Sequence, residues 1–541
     1  MRLYPLALSL IALAAAPFGG ADETPATPQL EVLNVVALDG HGKPVTDLTI
    51  DDFEVTDSGK HQVITYFHHR DSTPVETSTL PPNEFSNRRG SGLSNATVIL
   101  FDIFNERLTT RGNATANLVK YLEHLENADS LFLYFLTLDG KLYPVHGLPS
   151  AEVPAQQGGV PWTKQAKQLM DAAFRATPKM RPLAIDDTIR IEMTYTALRQ
   201  VAAQFSSIPG RKNVVWITDG VPIELVPGQS ATGNLVDFTA SLRKLGQQLD
   251  TASTAIYPVR QVVTGNQGVS LSDSIGNETG GTGLDGHLAG RGAPSGVSQV
   301  TSGNSGGGNA GARGAANTGG GVDSEAAVDE FAALTGGRAD TGKDIGKVVD
   351  QAMSDARSSY QIGYIPGPEN WDDKLHKLHV TSSRKGVNIQ AKTEYFAWRF
   401  QPGTQAEWAI TSAATSLYDS TGIGLRAHVT LNTPNTGVAH VEAHIDGGDI
   451  AFLKDAASYS AELRIAVALY AADGHIEKTA TVPLNLHLSL DEREKAVKEG
   501  VIGTRDLKMQ ANAKKLRFIV FDEASSAVGS VTIPMAASGQ P

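Results

Sequence analysis

The chain contains no cysteine. That excludes disulfides, thiolate metal sites, thiol nucleophiles and cysteine-linked lipid anchors. An excess of positive charge is missing too: 46 Lys and Arg stand against 58 Asp and Glu, a net charge of −12. This argues against a general nucleic-acid binder and against a protein held on anionic lipid by basic patches. No apolar run beyond the first residues approaches the length of a membrane span. No Walker A loop, His-Glu-x-x-His motif or Gly-x-Ser-x-Gly elbow on a strand–helix turn is present. What remains is 541 residues, 41% hydrophobic and 19% charged, which rules out global disorder and sets an expectation of three to four domains.

Met1-Arg2, an apolar run over 3–18 and then Gly19-Gly20-Ala21-Asp22 predict a secretory signal peptide over residues 1–21. The alternative is an uncleaved anchor, but Pro5 and Pro17 interrupt the run and it is short for a span. The mature chain is expected to be exported, periplasmic or extracellular, with no transmembrane anchor and with its cores as the sole source of stability.

Turn clusters and alternating residues predict a small β unit over 30–70. A polar stretch over 71–94 reads as a linker. From 95 to 398 strands and helices alternate. Strands are expected at 97–101, 131–136, 214–217, 254–257 and 360–364, with helical patterns between them and a closing hairpin at 376–382 and 387–396. This pattern predicts an α/β domain: a doubly wound, mostly parallel sheet with helices on both faces. Residues 262–322 interrupt it. They are rich in Gly, Ser and Asn, lack a hydrophobic period, and read as a disordered insertion. From 400 to 541 short strands separated by turns predict a C-terminal β-sandwich, with one helix near 491–500.

Several stretches carry a family resemblance. They are the strand ending in Asp102, the run Ile217-Thr218-Asp219-Gly220, and Ala332-Ala333-Leu334-Thr335-Gly336-Gly337-Arg338. In them the chain resembles a von Willebrand factor type A domain. More narrowly, it resembles the VWFA-related family of acidobacterial exported proteins. Gly42-Lys43-Pro44-Val45, Asp52-Phe53-Glu54-Val55, Pro209-Gly210-Arg211-Lys212-Asn213-Val214-Val215-Trp216, Tyr360-Gln361-Ile362-Gly363-Tyr364 and 516–524 support the narrower match. The resemblance implies a Rossmann-like domain that binds a protein, cell-surface or matrix ligand, often through a divalent metal, and that is not an enzyme.

Asp102 and Asp219 each fall where a strand ends, the place where open α/β sheets bind ligands. Two carboxylates converging there suit Mg²⁺ or Mn²⁺, hard cations that prefer oxygen. The resembled family builds its metal-dependent adhesion site with Asp-x-Ser-x-Ser after the first strand, a Thr from a later loop and a later Asp. Here the first motif reads Asp102-Ile103-Phe104-Asn105-Glu106, so both serine positions are lost. The metal candidates are Asp102, Asn105, Glu106 and Asp219. Thr188, Thr194, Thr218 and Gly220 are the further binding candidates, and neither Thr188 nor Thr194 has the family's spacing. Two alternatives stand beside the metal: Phe104 fills its place, or the two acids cap turns and helix ends.

Other candidates favour plain readings. Ser305 lies in low-complexity sequence, without the oriented base a nucleophile needs. His376 and His379 are expected on opposite faces of a solvated strand. His68-His69 end the first β unit with no carboxylate partner expected beside them, and Asp186-Asp187 are expected to complement a helix N-terminus. The leading functional expectation is an exported binding protein acting in adhesion. The alternatives are an envelope assembly component that pairs through β-sandwich edges, and a metal-assisted hydrolase using Asp102, Glu106 and Asp219.

Overall fold

The computed structural model describes residues 29–71, 80–88, 95–105, 108–126, 128–148, 161–177, 187–206, 208, 210–218, 239–260, 331–339, 344–398, 404–416, 418–432, 438–455, 458–508 and 513–535. The expected signal peptide, the Gly-rich stretch 262–322, and Glu106, Asp219 and Gly220 lie outside these residues.

In chain order, the first elements are β1 (Glu31–Leu38), β2 (Phe53–Asp57), β3 (Lys60–Gln62), β4 (Ile64–Asp71) and β5 (Glu84–Ser86). Then come β6 (Ala96–Asp102), α1 (Leu108–His124), β7 (Leu131–Leu136), β8 (Leu142–His146), α2 (Ala166–Ala176), α3 (Asp187–Phe205) and β9 (Lys212–Ile217). They are followed by α4 (Thr239–Thr251), β10 (Thr254–Val259), α5 (Ile345–Asp355), β11 (Ser358–Tyr364), β12 (Leu375–Ser382), β13 (Asn388–Gln390), β14 (Glu394–Phe396) and α6 (Thr404–Thr415). The chain closes with β15 (Leu425–Asn432), β16 (Val438–Ile445), β17 (Leu453–Asp455), β18 (Ser458–Tyr470), β19 (Ile476–Leu488), α7 (Leu490–Glu499), β20 (Val501–Lys508), β21 (Lys515–Asp522) and β22 (Val528–Pro534).

This architecture corrects the expected fold class. The chain is mostly antiparallel β, not a doubly wound, mostly parallel α/β protein. Among the described residues, parallel pairing occurs only between β10 and β9, β9 and β6, and β6 and β7. These strands form one sheet in the order β10-β9-β6-β7-β8, and β8 is antiparallel. The other four sheets are antiparallel throughout. The expectation went wrong at 358–396. Strands read there as the close of the α/β domain pair instead with the N-terminal strands. β11 lies between β1 and β4, and β12 pairs with β2. The two resulting four-stranded sheets, β13-β1-β11-β4 and β14-β12-β2-β3, enclose a core of Leu33, Val35, Phe53, Val55, Tyr360 and Ile362. A strand's apolar pattern reports that it is buried, not which strand it pairs with.

β6 is buried along its whole length, as a strand covered on both faces must be. Val98 and Leu100 pack with Tyr195, Leu198 and Leu245 on one side. Ile99 and Phe101 pack with Leu118, Met170 and Val349 on the other. Two glycines of the Ala332–Arg338 motif make close approaches. Gly336 has φ of +73°, and a Cβ at Gly337 would sit 1.8 Å from the Ile256 carbonyl oxygen in β10. Gly337→Ala must therefore displace β10 backbone. We expect a loss of at least about 3 kcal/mol in urea-unfolding free energy, the upper part of the overpacking range. A loss under about 1 kcal/mol would show that the approach is soft.

In the C-terminal region, β20-β16-β15-β5 faces the sheet of β17, β18, β21 and β22, to which β19 adds by pairing with β18. β5 comes from the stretch expected to be only a linker. α6 covers the outer face of the second sheet through Ala406, Ala409, Ile410 and Ala413, small side chains that permit close packing.

Two buried polar hubs join these parts. Asp449, 1% exposed, pairs with Arg88 and with Arg70 (3.3 Å), accepts the Gly424 N–H (2.7 Å) and lies 3.7 Å from His68 Nε2. Burial pushes the His68 imidazole down to about 4, with the Arg70 charge acting in the same sense. Asp57 accepts from the Tyr395 hydroxyl (2.8 Å) and the Tyr364 hydroxyl (3.1 Å), and lies 3.2 Å from His376 Nδ1. His376 Nε2 lies 3.0 Å from Asp372. These hubs correct two expectations. His68 has a carboxylate, 381 residues away in sequence (449 − 68), and His376 sits between two acids rather than on a solvated face.

Candidate functional site

β6 and β9 run parallel and in register, with Phe101 opposite Ile217, so their carboxyl ends reach one edge of the sheet together. Asp102 ends β6 there with no exposed surface. Its Oδ1 accepts the Asn105 backbone N–H (2.9 Å). Its Oδ2 accepts three donors: Asn105 Nδ2 (2.8 Å), Trp216 Nε1 (2.9 Å) and Thr218 Oγ1 (3.1 Å). Burial pushes the Asp102 carboxyl above its usual range, and the bonds from Asn105, Trp216 and Thr218 act in the opposite sense. All four contacts are donors, which suits the ionised carboxylate.

The network reaches α3. Asn105 Nδ2 also donates to Thr194 Oγ1 (3.1 Å), and Thr194 Oγ1 donates to the Arg190 carbonyl (2.9 Å). The amide orientation of Asn105 follows from this, because its nitrogen faces two acceptors. Asn105 Oδ1 is buried and accepts no hydrogen bond. The Thr218 N–H donates to Val259 at the end of β10 (3.1 Å), which ties the third strand in.

Of the residues singled out in the sequence, Asp102, Asn105, Thr194 and Thr218 meet in this network. Thr188 precedes Thr194 by six positions on α3, about 9 Å along the axis and on a different side of the helix. Phe104 packs into the core with Leu100 and Tyr195. Trp216 is the residue that sequence reasoning missed. It lies opposite Leu100 in the ladder, two positions before the level of Asp102, and a buried indole N–H needs an acceptor.

A hard divalent cation takes about six oxygen ligands. Here Asp102 Oδ2 already serves three donors. Thr218 donates to Asp102, and Thr194 is used in both directions. Asn105 Oδ1 is the spare oxygen of the network. The described oxygens do not by themselves fit Mg²⁺ or Mn²⁺. Among the described residues, no three His, Asp or Glu side chains gather in a metal-binding arrangement.

No family model matches the chain. No curated protein matches it. Among solved structures, it aligns with the pilus adhesin SpaC from Lactobacillus rhamnosus GG in its open conformation, at 8% identity and a TM-score of 0.24. The alignment covers 88% of this chain and 57% of the adhesin chain. A score that low does not establish a common fold. Among the described residues, no helix is long and apolar enough to cross a membrane.

Proposed function

We propose that the chain is an exported binding protein that holds a protein or surface ligand with the segments leaving the carboxyl ends of β6, β9 and β10. The observation that carries this reading is the Asp102 network, which locks the three strand ends to one another and to α3. The carboxylate is consumed in holding the scaffold, so its role is to position the following segments. A rigid sheet edge is the common scaffold of loop-based recognition.

The test is affinity capture from an exported-protein fraction with the immobilised full chain, with and without Mg²⁺. Thr194→Val with Thr218→Val serves as the comparison. Retention of a defined ligand that weakens in the double variant, while the variant still unfolds cooperatively, supports the reading. Failure to retain any ligand, or equal retention by the variant, sinks it.

A further inference from the structure

A cavity away from the Asp102 edge combines features that the proposed binding function does not use. It lies where α4, β1, β4 and the segment around β14 come together, with a volume of about 160 Å³. Cavities of roughly 150 Å³ hold benzene in other proteins. One wall is apolar: Leu242, Leu245 and Leu249 from α4, with Phe331, Phe396 and Trp398. Charged side chains line the cavity as well: Glu31 from β1, Lys392, and Asp250 near the end of α4.

Among the charged groups lining the cavity, the acids outnumber the cations left to pair with them. Two carboxylates share one ammonium: Lys392 Nζ pairs with Glu31 and lies 3.9 Å from Asp250. Glu31 is 8% exposed, and its Oε1 takes the Lys392 ammonium. The other cation at the cavity, Arg70, is committed elsewhere. It donates to Gln361 (3.0 Å) and the Gly422 carbonyl (3.1 Å) and pairs with Asp449. A carboxylate ligand would therefore meet two acids, whereas an ammonium ligand meets two carboxylates that share a single ammonium, one of them (Asp250) with its side chain 63% exposed.

The helix wall is open as well. Gly246 sits within α4, where glycine is a poor helix former, yet a Cβ there would meet nothing within 4 Å. The residue leaves free space beside the apolar wall.

We propose that this cavity binds a small organic ammonium ion, a ring-sized apolar body carrying one protonated amine. The body packs on the α4 wall, and the amine donates to Glu31 and Asp250.

The experiment is ligand-observed NMR titration of the full chain with benzylamine, toluene and benzoate. It is run at about pH 8, above the value of about 7 to which burial pushes the Glu31 carboxyl. Benzylamine should bind at least about tenfold more tightly than either comparison compound, and Glu31→Gln should weaken it by about tenfold. Gly246→Leu, which favours the helix and fills the space, should abolish binding. Absence of benzylamine binding overturns the proposal. So do equal binding of toluene, tighter binding of benzoate, or benzylamine binding that survives Gly246→Leu.

Discussion

Asp102→Ala will lower the unfolding free energy of the chain by about 3–5 kcal/mol, the usual cost of breaking a buried charged network from one side. Four donors lose their acceptor at once: the Asn105 N–H, the Asn105 amide, the Trp216 indole and the Thr218 hydroxyl. None can turn to water, because Asp102, Asn105, Trp216 and Thr218 are all buried. Asp102→Asn keeps the size and one oxygen but turns an amide nitrogen toward donors, so it should fall between wild type and alanine. Urea denaturation of metal-stripped protein gives the measurement. An alanine variant that loses less than about 1 kcal/mol would mean the network is not load-sharing. A carboxylate kept for a cation behaves differently: removing it costs the metal-free protein little, and only wild type gains stability on adding Mg²⁺ or Mn²⁺.

The second large effect is at Asp449. Asp449→Ala leaves Arg88 and Arg70 without their shared carboxylate and the Gly424 N–H without an acceptor. The loss should again be about 3–5 kcal/mol. Because Arg70 lies on β4 and Asp449 between β16 and β17, the hub joins the N-terminal sheets to the C-terminal ones. The variant should therefore also broaden the transition, with the two β regions unfolding less together. Tryptophan fluorescence and far-ultraviolet circular dichroism, coincident for wild type, should separate. Coincident curves with a small shift would show that apolar packing alone couples the two regions.

Acid adds a check on the same hub. His68 is held neutral down to about 4, whereas an unfolded histidine takes a proton near 6.5. The unfolded state thus binds more protons in that interval. His68 contributes stability that is fully present above 6.5 and is lost as the pH falls toward 4. His68→Gln should remove this loss, so its stability relative to wild type should rise between pH 6.5 and 4. A constant difference between the two proteins over that window would contradict the assignment.

Much of the strand-end site was legible in the residues. An uninterrupted apolar run ending at Asp102 marks a buried strand with an acid at its end, and β6 is that strand. The run before Thr218 did the same for β9. Two strands read this way in one parallel sheet bring their ends together, so Asp102 and Thr218 meet. What the residues left open was whether the acid waits for a cation or serves its neighbours. That depends on the Trp216 indole and the Asn105 amide pointing at the same oxygen. The positions of these side chains follow from register and rotamer, not from spacing.

The fold class shows the opposite limit. The pattern at 358–396 identified strands, and strands are there, but β11 pairs with β1 across more than 300 residues, Tyr360 lying opposite Val35. Alternation of apolar and polar residues has the same period for any partner, so it reports burial and leaves pairing free. His68 and His376 illustrate the same point: their carboxylate partners, Asp449 and Asp57, are remote in the chain.

By itself, then, the sequence determined the chain's charge, its lack of thiol chemistry, where many of its strands and helices lie (though not β5 or α6) and that Asp102 stands at a strand end. These are local or compositional properties. Only the tertiary structure decided that the molecule is mostly antiparallel, that Asp102 accepts from four donors, and that Glu31, Lys392 and Gly246 share a cavity. Those outcomes depend on which remote surfaces exclude water from one another, and nothing in local periodicity records that choice.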